Sequence, residues 1–320
     1  MRDRLTAFIV TPAPPGTTLG NRVTALRWAK RLRELGWRVQ IATAWTDEPC
    51  DLLVALHAYR SHDSLVRHAQ AWPGVPRVLA LTGTDLYAQL LHDPVARTSL
   101  ALAARLIVLQ PLALDPLPAE LRERAWVIRQ AAATPPAAPD QPGFTACALA
   151  HLREVKDPLL AARAAGLLPD DTQLRIVHLG GAPDDAWAAR ARDAERASRG
   201  RWAWLGPRPR VDALRVLAGS RLLVLTSRSE GGANVITEAI AAGVPVVSTR
   251  IAGSLGILGD DYPGYFAVGD AAGLAGLLER CERDPGFLDQ LRARVLTLRP
   301  LVAPAAERAS WQALLRGLGV

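Results

Sequence analysis

Short runs of Val, Ile, Leu and Ala recur along this chain, and most are separated by segments with helical spacing. In the first part they are TAFIVTP, WRVQIATA, DLLVALHA, PRVLALTG, ARLIVLQ and AWVIRQAA, with Arg22 to Leu35 carrying a helical period between the first two. A strand apolar on both faces needs cover on both, so the alternation predicts parallel sheets flanked by helices. The proline-dense stretch ATPPAAPDQPG (133–143) interrupts the rhythm, which restarts with FTACALAH, LRIVHLGG, WAWLG, RLLVLTS and VPVVSTR. The expected fold class is α/β: two doubly wound, Rossmann-like domains at 1–132 and 144–302, joined by the linker 133–143. Residues 303–320 read as one amphipathic helix packing back on the N-terminal domain. Ligands of doubly wound sheets bind at the carboxyl ends of the strands, so a central cleft faced by both parallel sheets is where two substrates are expected to meet.

At 320 residues, 49% of them hydrophobic and 22% charged, the chain can bury two cores. No apolar run approaches the ~18 residues of a membrane span, and the apolar stretch near the N-terminus is too short for a secretory signal. Cys50, Cys147 and Cys281 are scattered, which argues against a disulfide framework or a zinc site and for a reducing cytoplasm. The net charge of +7 comes almost entirely from arginine, Lys30 and Lys156 being the only lysines. The arginines alternate with Asp and Glu, as in WAARARDAERASRG, and no basic stripe carries interleaved aromatics. Nucleic acid and stable membrane association are therefore not expected, whereas a small anionic substrate fits the charge.

The segment SRSEGGANVITEAIAAGVPVVS (227–248) carries the chemistry. A strand, RLLVLTS, is followed by a helical pattern that stops at Gly243. Glu230, Gly231 and Gly232 fall in the turn, and the helical pattern starts with Ala233, Asn234 and Val235. Glycines let backbone amides approach a ligand, and a helix N-terminus favours phosphate. Glu238, about one turn into the helix, can accept two hydrogen bonds from a vicinal diol such as a ribose. Diphosphate between ribose and hexose describes a nucleotide sugar. The same spacing also suits an ordinary strand–helix turn with a solvated glutamate.

Glu230 and Glu238 with EAIAAGVPVVSTRIAG resemble the donor-site signature of the retaining glycosyltransferases of GT-B fold. The resemblance implies that Glu238 binds the nucleotide ribose, that Glu230 sits by the donor sugar, and that the backbone from Gly231 to Val235 takes the diphosphate. That family also has an Arg and a Lys five apart after the first strand of the second domain. Here AHLREVKDP supplies Lys156, while His151 stands at the arginine position and Arg153 lies two residues on. Lys156 and Arg153 are the expected cations for the departing diphosphate. No Asp-x-Asp pair or His cluster is present, so no metal or other cofactor is expected beyond the UDP-sugar as co-substrate. In LGPRPR (205–210), Arg208 is the weaker candidate for the base.

In the first half, PPGTTLGNR supplies Gly16, Thr17, Thr18, Gly20, Asn21 and Arg22, a second helix start with a cation, read either as an anion site or as a loop capped at Asn21. DLLVALHAYRS and LALTGTDLY end strands with His57, Arg60, Thr84 and Asp85, candidates for the acceptor side. Together GNRVTALRWAKRLRELGWRV, ALHAYRS, LTGTDLY, HLREVKDP and SEGGANVITEAIAAGVPVV resemble the selenosugar synthases of selenoneine biosynthesis. That resemblance implies transfer of N-acetylhexosamine from a UDP-sugar, such as UDP-N-acetylglucosamine, to the selenium of selenophosphate. Selenium in that form needs no general base, and no obvious base emerges from the first half. The other readings are an ordinary oxygen-directed glycosyltransferase and a non-catalytic nucleotide-sugar binding protein.

Overall fold

The computed structural model describes residues 4–87, 90, 92–136, 138, 141 and 143–320. The chain divides into two compact units, 1–131 with 301–320, and 132–300. Within the linker 133–143, Ala137, Pro139, Asp140 and Pro142 lie outside the described residues.

The strands of the first unit are β1 (Thr6–Val10), β2 (Arg38–Ala42), β3 (Leu52–Leu56), β4 (Arg77–Leu81), β5 (Arg105–Val108) and β6 (Ala125–Val127). They form one parallel sheet in the order β2-β1-β3-β4-β5-β6. Its helices are α1 (Gly20–Glu34), α2 (His62–Ala71), α3 (Thr84–Tyr87), α4 (Pro94–Leu102), α5 (Ala119–Arg122) and, from the far end of the chain, Pro304–Leu318. Successive strand residues serve opposite faces. Phe8, Val10, Leu53 and Ala55 pack with Leu65 of α2 and Leu100 of α4, while Ala7, Ile9, Leu52 and Val54 pack with Trp28 of α1 and with Trp311. The helical spacing of α1 aligns Ala25, Trp28, Ala29 and Leu32 on that buried stripe.

The second unit contains β7 (Phe144–Leu149), β8 (Leu174–Leu179), β9 (Trp202–Trp204), β10 (Leu222–Leu225), β11 (Val246–Thr249) and β12 (Tyr265–Phe266). These are also all parallel, in the order β12-β11-β10-β7-β8-β9. The helices are α6 (Leu159–Gly166), α7 (Asp185–Ala197), α8 (Arg210–Gly219), α9 (Asn234–Ala242), α10 (Ala252–Leu258), α11 (Ala271–Arg283) and α12 (Pro285–Thr297), which makes the C-terminal helix of the first unit α13. Every apolar run singled out in the sequence is a strand. β12 was missed, because two residues after the polar turn DDYPG carry no periodicity. Among the described residues no helix is long and apolar enough to cross a membrane.

Strand order places the site. In the second sheet the chain runs outward from β7 to β9, then returns to β10 on the other side of β7. The loops after β7 and β10 therefore diverge at the topological switch point, where doubly wound sheets leave room for a ligand. The corresponding loops of the first sheet follow β1 and β3.

Candidate functional site

Lys156 and Glu230 occupy the two loops of the second switch point, and the structure brings them together. The loop after β7 closes in a 3-10 turn, Glu154–Lys156, ended by Asp157 in the left-handed region (φ 39°). Asp157 is 7% exposed and accepts from Arg163 (3.3 Å) and Arg228 (3.2 Å). Thr226 Oγ1 donates to Lys156 O (2.9 Å), and Arg228 N to Val155 O (2.8 Å). These bonds fasten the lysine turn to the segment after β10. Lys156 Nζ donates to Glu230 Oε1, which also accepts from Ser227 Oγ (2.7 Å). The cation expected to meet a leaving phosphate is thus held by the first glutamate of the motif.

Gly231, Gly232 and Ala233 are buried, and Ala233 is the extended residue before α9, with no side chain capping that end. Thr249 Oγ1 ties the turn down by donating to Ser227 O (2.6 Å). The start of α10 presses against it: a Cβ on Gly253 would lie 2.2 Å from Glu230 O. Gly253, inside the STRIAG string, is thus needed for the turn to sit where it does. α9 ends at Gly243 in the left-handed region (φ 74°), as its sequence predicts.

Glu238 is on the fifth residue of α9, 6% exposed, and its Oε1 accepts from Arg210 Nη2 at 2.5 Å. Arg210 is the first residue of α8. Arg208, the weaker sequence candidate for the base, is exposed and has no described hydrogen-bond partner. Arg210 is not singled out by the sequence; its pairing with Glu238 comes from the packing of α8 beside α9.

His151 Nδ1 accepts from Gly181 N (3.1 Å), which leaves the proton of the neutral ring on Nε2. The two loops cross tightly here: a Cβ on Gly180 would lie 1.9 Å from Ala150 O. Beneath the crossing, His178 Nε2 donates to Ala150 O (2.8 Å), and burial pushes its pKa down to about 4, so the ring is a neutral scaffold group. Arg153 is exposed at the entrance to the lysine turn. Among the described residues no cluster of three His, Cys, Asp or Glu side chains is placed to hold a metal ion.

In the first unit, the loop after β1 contains Gly16 (φ 79°) and Thr17, whose Oγ1 donates to Pro14 O (2.8 Å). Asn21 does not cap α1. The helix begins one residue earlier, at Gly20, on an extended Leu19 without a side-chain cap. Arg22 lies in the first turn with Nε and Nη1 shut off from solvent and hydrogen-bonded to no described residue. Thr18 precedes this turn. After β3, His57 has a left-handed backbone (φ 80°) and is 8% exposed. Burial lowers its pKa, with Asp85 opposing and Arg60 reinforcing the shift. Asp85 has both oxygens committed to backbone, Oδ2 accepting from Ala58 N (3.0 Å) and Oδ1 from Gly83 N (2.8 Å), so it braces the loops after β3 and β4. Arg60 is exposed, and the side chain of Thr84 lies outside the described part of the molecule.

The sequence pattern of the glycosyl transferases group 1 matches residues 135–295, half of the chain. The chain belongs to that family. The match spans the lysine turn, α8 and the Glu-Gly-Gly turn. Among solved structures, Anabaena HepE in complex with UDP and glucose superposes with a TM-score of 0.79 at 16% identity, covering 98% of this chain and 100% of that one. Sucrose-phosphate synthase from Thermosynechococcus elongatus gives 0.78 at 16% identity over 98% and 99%. A glycosyltransferase from Rickettsia africae gives 0.73 at 12% over 98% of both chains. These neighbours show the fold of this group 1 glycosyltransferase to be GT-B. A comparison with curated protein sequences gives no match.

Proposed function

We propose that this group 1 glycosyltransferase uses a UDP-linked N-acetylhexosamine and transfers the sugar to the selenium of selenophosphate. The observation that carries the donor half is the pairing at the second switch point: Glu230 and Glu238 each engage one oxygen with a cation and keep the other without a described hydrogen-bond partner. An open carboxylate oxygen beside the start of α9 suits a hydroxyl next to a diphosphate. HepE binds UDP and UDP-glucose in the same fold, which supports a uridine nucleotide here.

The acceptor half is supported by the resemblance of the N-terminal strings and by Arg22. A guanidinium with two buried nitrogens and no described partner is costly unless an anion completes it. Selenophosphate is such an anion. In the proposed reaction selenium attacks the anomeric carbon as the bond to the UDP oxygen breaks, and the electron pair leaves with UDP. The amide end of α9 and Lys156, released from Glu230, meet that charge. Water then cleaves the P–Se bond, giving phosphate and the selenosugar. Neither step calls for a metal.

Purified protein incubated with UDP-N-acetylglucosamine and selenophosphate should yield a selenium-bearing hexosamine by mass spectrometry, together with UDP. UDP release without any selenium-bearing sugar counts against this acceptor. The alternative, transfer to an oxygen acceptor, is favoured by His57, a buried imidazole of lowered pKa that is suited to serve as base. It predicts that His57→Ala abolishes transfer, whereas transfer to selenophosphate should survive.

A further inference from the structure

The exposed loop 205–209 leads into α8 through Gly206 (φ 70°), Pro207 and Pro209. The prolines fix the backbone, and Asp212 N and Ala213 N both close onto Pro209 O (3.0 and 3.1 Å). Arg210 therefore starts from a rigid point. Its side chain remains 42% exposed, while the Glu238 side chain it reaches is 8% exposed. Around Glu238 on α9, Ile236, Ala239, Ile240 and Ala241 are buried and apolar, and Thr237 is buried and polar. A carboxylate in that setting needs a partner to hold its charge and its rotamer. Arg210 is the only described residue that supplies one, and it takes Oε1 alone.

We infer that Arg210 is a positioning residue of the nucleotide site, clamping Oε1 of Glu238 so that Oε2 is presented to the ribose diol. This rests on the donor reading given above. An ordinary surface ion pair contributes little, and removing one should leave ligand binding unchanged. A clamp acting through Glu238 has a different signature. Its loss is felt only by a ligand that uses the diol, and only while Glu238 is present.

Calorimetry with UDP and with 2′-deoxy-UDP separates the cases, on R210A, R210K, E238Q and the R210A/E238Q double variant. The expected result is about a fivefold loss of UDP affinity in R210A, a smaller loss in R210K, and little change for the deoxy nucleotide. Adding R210A to E238Q should cost nothing further. Equal thermal midpoints for R210A and the unaltered protein show that the fold is intact. Wild-type UDP affinity in R210A, an equal loss for both nucleotides, or full additivity in the double variant overturns the inference. If E238Q itself binds UDP normally, the donor reading falls and the inference with it; if E238Q is weakened and R210A is not, the inference alone falls.

Discussion

Lys156 and Glu230 form an ion pair whose members are 30% and 11% exposed, in the two loops that diverge at the second switch point. Charge on the leaving phosphate develops in the transition state, so a lysine that exchanges Glu230 for that phosphate contributes to turnover more than to ground-state binding. K156A is expected to lower kcat by about a hundredfold while changing UDP affinity far less; equal turnover would reject the role. His178 makes a second, independent prediction. Its pKa drops from 6.5 to about 4 in the folded protein. The unfolded chain then takes up a proton that the folded one refuses, so stability is lost as pH falls from 6.5 towards 4. The loss amounts to on the order of 3 kcal/mol by about pH 4. Urea unfolding followed across that window should show this slope, and H178F should flatten it.

The turn between β10 and α9 depends on a neighbouring element for its shape. An alanine at Gly253 would place Cβ 2.2 Å from Glu230 O and 2.8 Å from Glu230 Cβ, so α10 or the turn must move. G253A is expected to cost about 1–3 kcal/mol and to weaken UDP binding as well. G276A, inside α11 with nothing within 4 Å of the added carbon, should instead gain up to about 1 kcal/mol. Thermal unfolding with and without UDP measures both. The same turn shows what local pattern carries. Its strand, its glycines and the Gly243 stop follow from spacing along the chain, because backbone geometry demands them. The partners Asp157 and Arg210 do not follow, because each is brought in by packing between elements far apart in sequence. The misread cap at Asn21 is of the same kind: side-chain preference pointed to Asn, while the chain turned into the helix at an extended Leu19.

On the scale of the molecule, each unit has its own sheet, and the chain crosses between them, returning at residue 301 to complete the first. That return is anchored by one carboxylate. Glu307 on α13 is 2% exposed, and its Oε1 accepts from Arg27 Nε (2.8 Å), Trp28 Nε1 (3.1 Å) and Ala131 N (3.3 Å). Trp311, one turn along, packs edge-on against Trp28 with ring centroids 5.2 Å apart. Removing the carboxylate breaks the ion pair with the part-buried Arg27 and takes the acceptor from Trp28 Nε1 and Ala131 N, a loss of about 3–5 kcal/mol for pairs of this kind. UDP acts elsewhere. If it binds at the second switch point, mass action stabilises the second unit by about 2.7 kcal/mol at a hundredfold excess over Kd. Hydrogen exchange resolves the two effects along the chain. E307A should deprotect α1, α13 and the strands between 6 and 127, with 144–297 little changed, and UDP should add protection first around 154–157 and 226–242. Protection gained chiefly within 6–127 would place the nucleotide on the wrong sheet and remove the basis for assigning Glu238 to it.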